Sequence, residues 1–225
     1  MTHLDAQLDQ IKEAIFEMMI KTNRQVEKSK EAFINFDEDI AEEIVHNEKW
    51  INALELSIDR ECENTFALFQ PVATDLRFVI SMLKINSDLE RIADYAENIA
   101  KYVIEMEEPI SDELIQKVKL NKMFDLAIKM TADISIAFEN EDTKLAKKVF
   151  KQDKDLNKIN NKSSRIISEY IQSNPQEIRS ALFLFSVIRK LERLGDHVKN
   201  IVEDFIFYLD AEIIKHKNKK YKVKS

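Results

Sequence analysis

In 225 residues the chain holds a single Gly and three Pro, while 33% of its side chains are charged and the formal net charge is −7. So few turn formers exclude a fold of many short elements and, with Glu and Lys abundant, predict long helices. The acidic balance excludes general nucleic-acid binding, which needs clustered positive charge to displace counterions, and a lone Cys excludes an intramolecular disulfide.

The first predicted helix covers 4–36, where Leu4, Leu8, Ile11, Ile15 and Met18/Met19 recur at helical spacing. Asp37 has the chemistry of an N-cap for a second helix, which runs through Ile44, Ile51 and Ile58 to about Leu68. Pro71 ends it, since proline lacks the amide and clashes with the preceding turn. A third helix runs from Thr74-Asp75 to about Met106. Ser111-Asp112 starts a fourth, to about Phe138; a fifth follows the polar stretch 140–143 to about Ile171. A sixth runs from after Pro175 to about Leu209. Six helices of about 30 residues would each be about 45 Å long.

The second three helices replay the first three. Leu89-Glu90-Arg91-Ile92-Ala93-Asp94 returns as Leu191-Glu192-Arg193-Leu194-Gly195-Asp196, at an offset of 102 that also aligns Arg77 with Arg179 and Asn98 with Asn200. Upstream, Glu48 matches Asp153 and Asn52 matches Asn157 at an offset of 105. The expected fold is all-α, with six long helices forming two tandem, duplicated three-helix bundles. The units are 1–108 and 109–214, followed by a basic tail, 215–225, with six Lys and no acid. No Gly/Ser linker separates the halves, so they are expected to pack together. The first residues lack the basic and apolar regions of a secretory signal, and the longest nearly apolar run, 181–188, is too short for a bilayer. A soluble, cytoplasmic protein is expected.

At about 100° per residue, Glu90, Asp94, Glu97 and Asn98 fall within roughly 100° of one another on one face. Leu83 and Val79 underlie Glu90, and Phe185 and Ala181 underlie Glu192, so the carboxylates extend a packed stripe. Two anions at i and i+4 repel each other. Oxygen donors without Cys suit hard cations or oxygen-rich iron sites, which would offset that repulsion. The competing reading is a solvated face with Arg91 and Arg193 as local partners. The motif Glu43-Ile44-Val45-His46 lacks the second ExxH of a di-iron bundle. His197 is expected on an exposed face, Cys62 in the core, and Gly195 at a close helix packing contact. The tail has the composition to attract anionic lipid.

Gln70-Pro71-Val72-Ala73-Thr74-Asp75-Leu76-Arg77, Lys84-Ile85-Asn86-Ser87-Asp88-Leu89-Glu90-Arg91-Ile92-Ala93-Asp94 and Leu191-Glu192-Arg193-Leu194-Gly195-Asp196-His197 with Asn200-Ile201 resemble the PhoU family of phosphate-uptake regulators. The resemblance covers essentially the whole chain. It implies two three-helix bundles, each able to hold divalent or iron-type metal (Fe, Mn or Mg) through Glu90 and Asp94 in the first and Glu192 and Asp196 in the second. Glu48, Asp153, Asn98 and Asn200 are second-rank ligands by position. The implied role is non-enzymatic: a negative regulator of phosphate uptake and phosphate-starvation signalling. It would link the phosphate ABC transporter, through its ATPase subunit, to a sensor histidine kinase, as a homodimer with peripheral membrane association. Two departures bear on the symmetry of the sites: Asn160 stands where the first unit has Glu55, and Tyr95 where the second has His197. The alternatives are a metal-dependent carboxylate-site enzyme and a structural bundle with no metal role.

Overall fold

The computed structural model describes residues 2–211, so the basic tail lies outside the described residues. In chain order the elements are α1 (His3–Asn35), α2 (Glu38–Phe69), α3 (Ala73–Glu105), α4 (Asp112–Val118), α5 (Leu120–Glu139), α6 (Thr143–Ala146), α7 (Val149–Ser173) and α8 (Ile178–Asp210). A 3-10 turn at Pro175–Glu177 leads into α8. There is no strand among the described residues.

Side-chain oxygens start the helices where the sequence places them. Thr2 and Asp5 cap α1 reciprocally, and the Asp37 carboxylate accepts from the Ile40 amide at the start of α2. Ser111 accepts from Leu114 N, and Asp142 from Lys144 N and Leu145 N. The first half keeps its three long helices. In the second half, the predicted fourth helix is divided at Lys119, which takes a left-handed φ of 59° between α4 and α5. The predicted fifth is divided at Lys147–Lys148, where Lys148 N and Lys151 N bond three residues back and tighten the turn. Neither point carries Gly or Pro. The chain's one Gly lies inside α8, so every left-handed turn is made by a residue with a side chain, Phe36, Gln70 and Lys119 among them.

Helices α1, α2 and α3 pack on one another, and α5 packs on α7 and α8. The two sets join along α3 with α8 and along α1 with α5. Contacts between α3 and α8 pair early residues of one with late residues of the other, as in Phe78 against Tyr208 and Tyr102 against Phe183, so the two run antiparallel. Buried side chains form one cluster across both halves. Phe33 of α1 meets Phe124 of α5 at 6.3 Å between ring centres, and Phe138 meets Phe205 at 5.8 Å. Fully buried aromatics of this size supply much of the hydrophobic free energy.

Gly195 packs closely but not too tightly for a methyl group. A Cβ there would sit 3.4 Å from Leu156 Cδ1 and Met130 Cε, within ordinary contact. Its counterpart in the first half is already Ala93. Gly195→Ala is therefore expected to stabilise the protein by about 0.5–1 kcal/mol, because glycine loses the most backbone entropy in a helix. A urea titration checks the sign.

Candidate functional site

The acidic face of the first half is assembled across α2 and α3. Glu90 and Asp94 lie on α3 with their side chains one-fifth and one-third exposed, and Arg91 lies near both, Nε 3.6 Å from Glu90 and Nη1 4.0 Å from Asp94. Glu48 reaches them from α2 and is 3% exposed, with no hydrogen-bond partner for either carboxylate oxygen. Burial, then the charges of Glu97, Asp94 and Glu90, push its pKa up to about 8. Burial and the Asp94 charge also raise Glu90, and burial with the Asp59 charge raises Glu55. Like charges in low dielectric disfavour ionisation, and the Lys101 charge opposes them only weakly at Glu48 without bonding it. Lys101 bonds Glu97 at 2.6 Å from the outer side of α3.

The second half repeats the backbone plan with different partners. Asp153 of α7, the positional equivalent of Glu48, is 5% exposed. Its Oδ2 accepts from Asn157 at 3.2 Å and lies 3.1 Å from Lys199 Nζ, which also meets Asp196 Oδ1 at 2.7 Å. Burial raises the Asp153 pKa, with the Lys199 hydrogen bond opposing. Glu192 has Arg189 at 3.8 Å. The two second-rank amides turn elsewhere: Asn98 donates to the Asp94 carbonyl, and Asn200 donates to Asp88.

His197 is not on an open surface. Its Nδ1 lies 2.6 Å from Asp88 Oδ1 across the α3–α8 contact, and its Nε2 lies 3.3 Å from the Tyr95 hydroxyl. Tyr95 and His197 are equivalent positions of the two halves, so they meet on the pseudo-twofold axis. The equivalents Asp88 and Lys190 complete the arrangement, Asp88 holding His197 while Lys190 lies 5.4 Å over the Tyr95 ring. The offset of 102 was the available signal for this network, since it pairs both couples by number. Cys62 is fully buried, with its thiol pushed up to about 12 by burial, as a core position requires. Glu43 of the ExxH is committed to Lys28 at 2.5 Å.

The donor chemistry of the first face, carboxylates with one buried and unpartnered, fits a hard cation. As the side chains stand, no three His, Cys, Asp or Glu among the described residues converge closely enough to hold a metal ion. A cation held by Glu48, Glu90 and Asp94 would therefore need these side chains to turn toward one another.

Two tandem three-helix units, each with an acidic face on its last helix and joined along those helices, define a duplicated helical-bundle protein. The family model for the PhoU domain matches residues 4–103 and 120–205, once for each unit. The chain belongs to the PhoU family. It is 36% identical over 217 residues to a phosphate-specific transport system accessory protein PhoU homolog of Aquifex aeolicus, covering 96% of this chain and 97% of that one. The crystal structure of PhoU from Pseudomonas aeruginosa superposes with a TM-score of 0.88 at 31% identity, over 93% of this chain and 100% of the other. The phosphate transport system regulatory protein PhoU from Streptococcus pneumoniae gives 0.84 at 26% identity, over 94% and 99%.

Proposed function

We propose that this protein is a phosphate-transport accessory protein that acts as a negative regulator of phosphate uptake and phosphate-starvation signalling. The observation that carries the reading is the whole-chain likeness, both units included, to a relative named as a phosphate-specific transport system accessory protein. In this reading it is a cytoplasmic adaptor, working as a homodimer, that contacts the ATPase subunit of the phosphate ABC transporter and a sensor histidine kinase. No helix among the described residues is long and apolar enough to cross a membrane, so membrane association would be peripheral. In this reading the partners dock on exposed apolar residues of both units. Leu76 and Ile80 at the start of α3, and their equivalents Ile178 and Leu182 at the start of α8, are 36–56% exposed apolar pairs. The acidic faces bind and shape; no nucleophile, paired ExxH or phosphate loop accompanies them, so no catalytic role is assigned.

The metal belongs to the same proposal. Glu90, Asp94 and Glu48 would hold Fe, Mn or Mg in the first unit; Glu192, Asp196 and Asp153 stand at the corresponding positions of the second, where Lys199 already bridges two of them. A bound cation would neutralise the buried Glu48 and tie α2 to α3. The regulatory role is tested by phosphatase expression in a deletion strain grown in high phosphate. Derepression by at least tenfold, reversed by the wild-type gene, is expected; unchanged repression in a strain without a second copy overturns the reading.

A further inference from the structure

The two acidic sites differ in charge at two of five corresponding positions, and both differences have the same sign. In the first unit the positions are Glu48, Glu55, Glu90, Asp94 and Glu97; in the second they are Asp153, Asn160, Glu192, Asp196 and Lys199. Five carboxylates are matched by three carboxylates, an amide and an ammonium, a formal charge of −5 against −2. The geometry uses that ammonium. Lys199 Nζ is 3.1 Å from the buried Asp153 and 2.7 Å from Asp196, so it bridges α7 and α8 from inside the carboxylate pair. In the first unit Lys101 bonds Glu97 instead, and both Glu48 oxygens stay without a partner although the residue is 97% buried.

We infer that Lys199 is the built-in cation of the second acidic site, so that added metal binds at the first unit and is kept from the second. An ammonium hydrogen bonded to two carboxylates occupies the place between helices that a bridging cation needs, and it repels a divalent ion from the same oxygens. The chain itself thereby meets one oxygen of Asp153, Oδ2, and leaves Oδ1 without a partner, whereas neither oxygen of Glu48 has one. The inference rests on the proposal that the first site takes a metal.

The test is Mn²⁺ binding to the untagged full chain, by calorimetric titration and by elemental analysis after dialysis, with melting curves to verify folding. All Mn²⁺ bound by the wild type is expected to be lost in Glu90→Gln/Asp94→Asn and retained in Glu192→Gln/Asp196→Asn. Lys199→Thr is expected to add Mn²⁺ binding that a further Asp196→Asn removes; Lys199→Gln, closer in length, replaces it if the Thr variant does not fold. Loss of wild-type Mn²⁺ in Glu192→Gln/Asp196→Asn overturns the inference. So does folded Lys199→Thr with unchanged stoichiometry, and in that case the first-site reading stands if Glu90→Gln/Asp94→Asn still abolishes binding. A wild type that binds no Mn²⁺ while Lys199→Thr does overturns the first-site reading and upholds the role of Lys199. No binding in any variant overturns both.

Discussion

Glu48→Gln is expected to raise the stability of the metal-free protein at neutral pH by about 2–3 kcal/mol, with almost no effect near pH 4.5. Glu48 is 3% exposed and neither of its oxygens has a partner, while Glu97, Asp94 and Glu90 add repulsion. Its pKa in the folded chain is about 8, against an ordinary value of 4.5. Below the ordinary value the carboxyl is protonated in both states and the Glu and Gln forms are nearly equivalent. As pH rises, the unfolded chain ionises first and gains free energy that the folded chain cannot match. Stability is therefore lost progressively from about pH 4.5 up to about 8 and is flat beyond. Gln has no proton to lose and escapes that decline. For a chain of this size the difference corresponds to roughly 5–10 °C in Tm. Thermal scans in chelator between about pH 4.5 and 8.5 check it; parallel curves for the two proteins would show that Glu48 is not held as a buried neutral acid. Saturating Mn²⁺ should narrow or reverse the order, because a ligand bound at about 100 times its Kd adds about 2.7 kcal/mol to the form that binds it.

The second large effect is in the other unit and has the opposite sign. Lys199→Met removes the cation that bridges Asp153 and Asp196, leaving Asp153 with only the Asn157 amide. Removing one member of a buried pair costs about 3–5 kcal/mol when the remaining charge cannot escape. Here Asp153 can take up a proton, which limits the loss to about 4 kcal/mol at pH 7. A loss of about 2–4 kcal/mol in urea unfolding is expected. Adding Asp153→Asn should restore most of it, since the stranded charge is then gone, and the non-additivity measures the coupling. Lys101→Met in the first unit is the control. That lysine is half-exposed and its partner is Glu97 on the same helix, so its loss should cost under about 1 kcal/mol. Equal costs at Lys101 and Lys199 would show that the second site does not depend on its lysine.

Much of the architecture was legible in the order of residues, and the gaps have identifiable causes. Asp37 and Ser111 cap the helices they were expected to cap, because capping needs only a side-chain oxygen and the next three amides. The division at Lys119 was not legible: turns of left-handed φ favour Gly or Asn, and a lysine held there by its surroundings gives no local signal. The offset of 105 matches Glu48 with Asp153, the family resemblance sets both beside the acidic pairs, and both are buried there. The periodicity of α8 by itself puts His197 on an open face; α3, lying antiparallel, covers it and supplies Asp88 and Tyr95.

Sequence by itself determined the all-helical class, the duplication and the chemistry of each acidic face, since these follow from local propensity, periodicity and repetition along one chain. Which carboxylates lack a partner was decided only by tertiary structure. Glu97 and Lys199 occupy equivalent places on equivalent helices, yet one turns to a neighbouring lysine and the other spans two helices to reach a buried aspartate. The free energy of a buried charge depends on what lies within a few ångströms across a helix interface, and the position of a residue in the chain does not specify that distance.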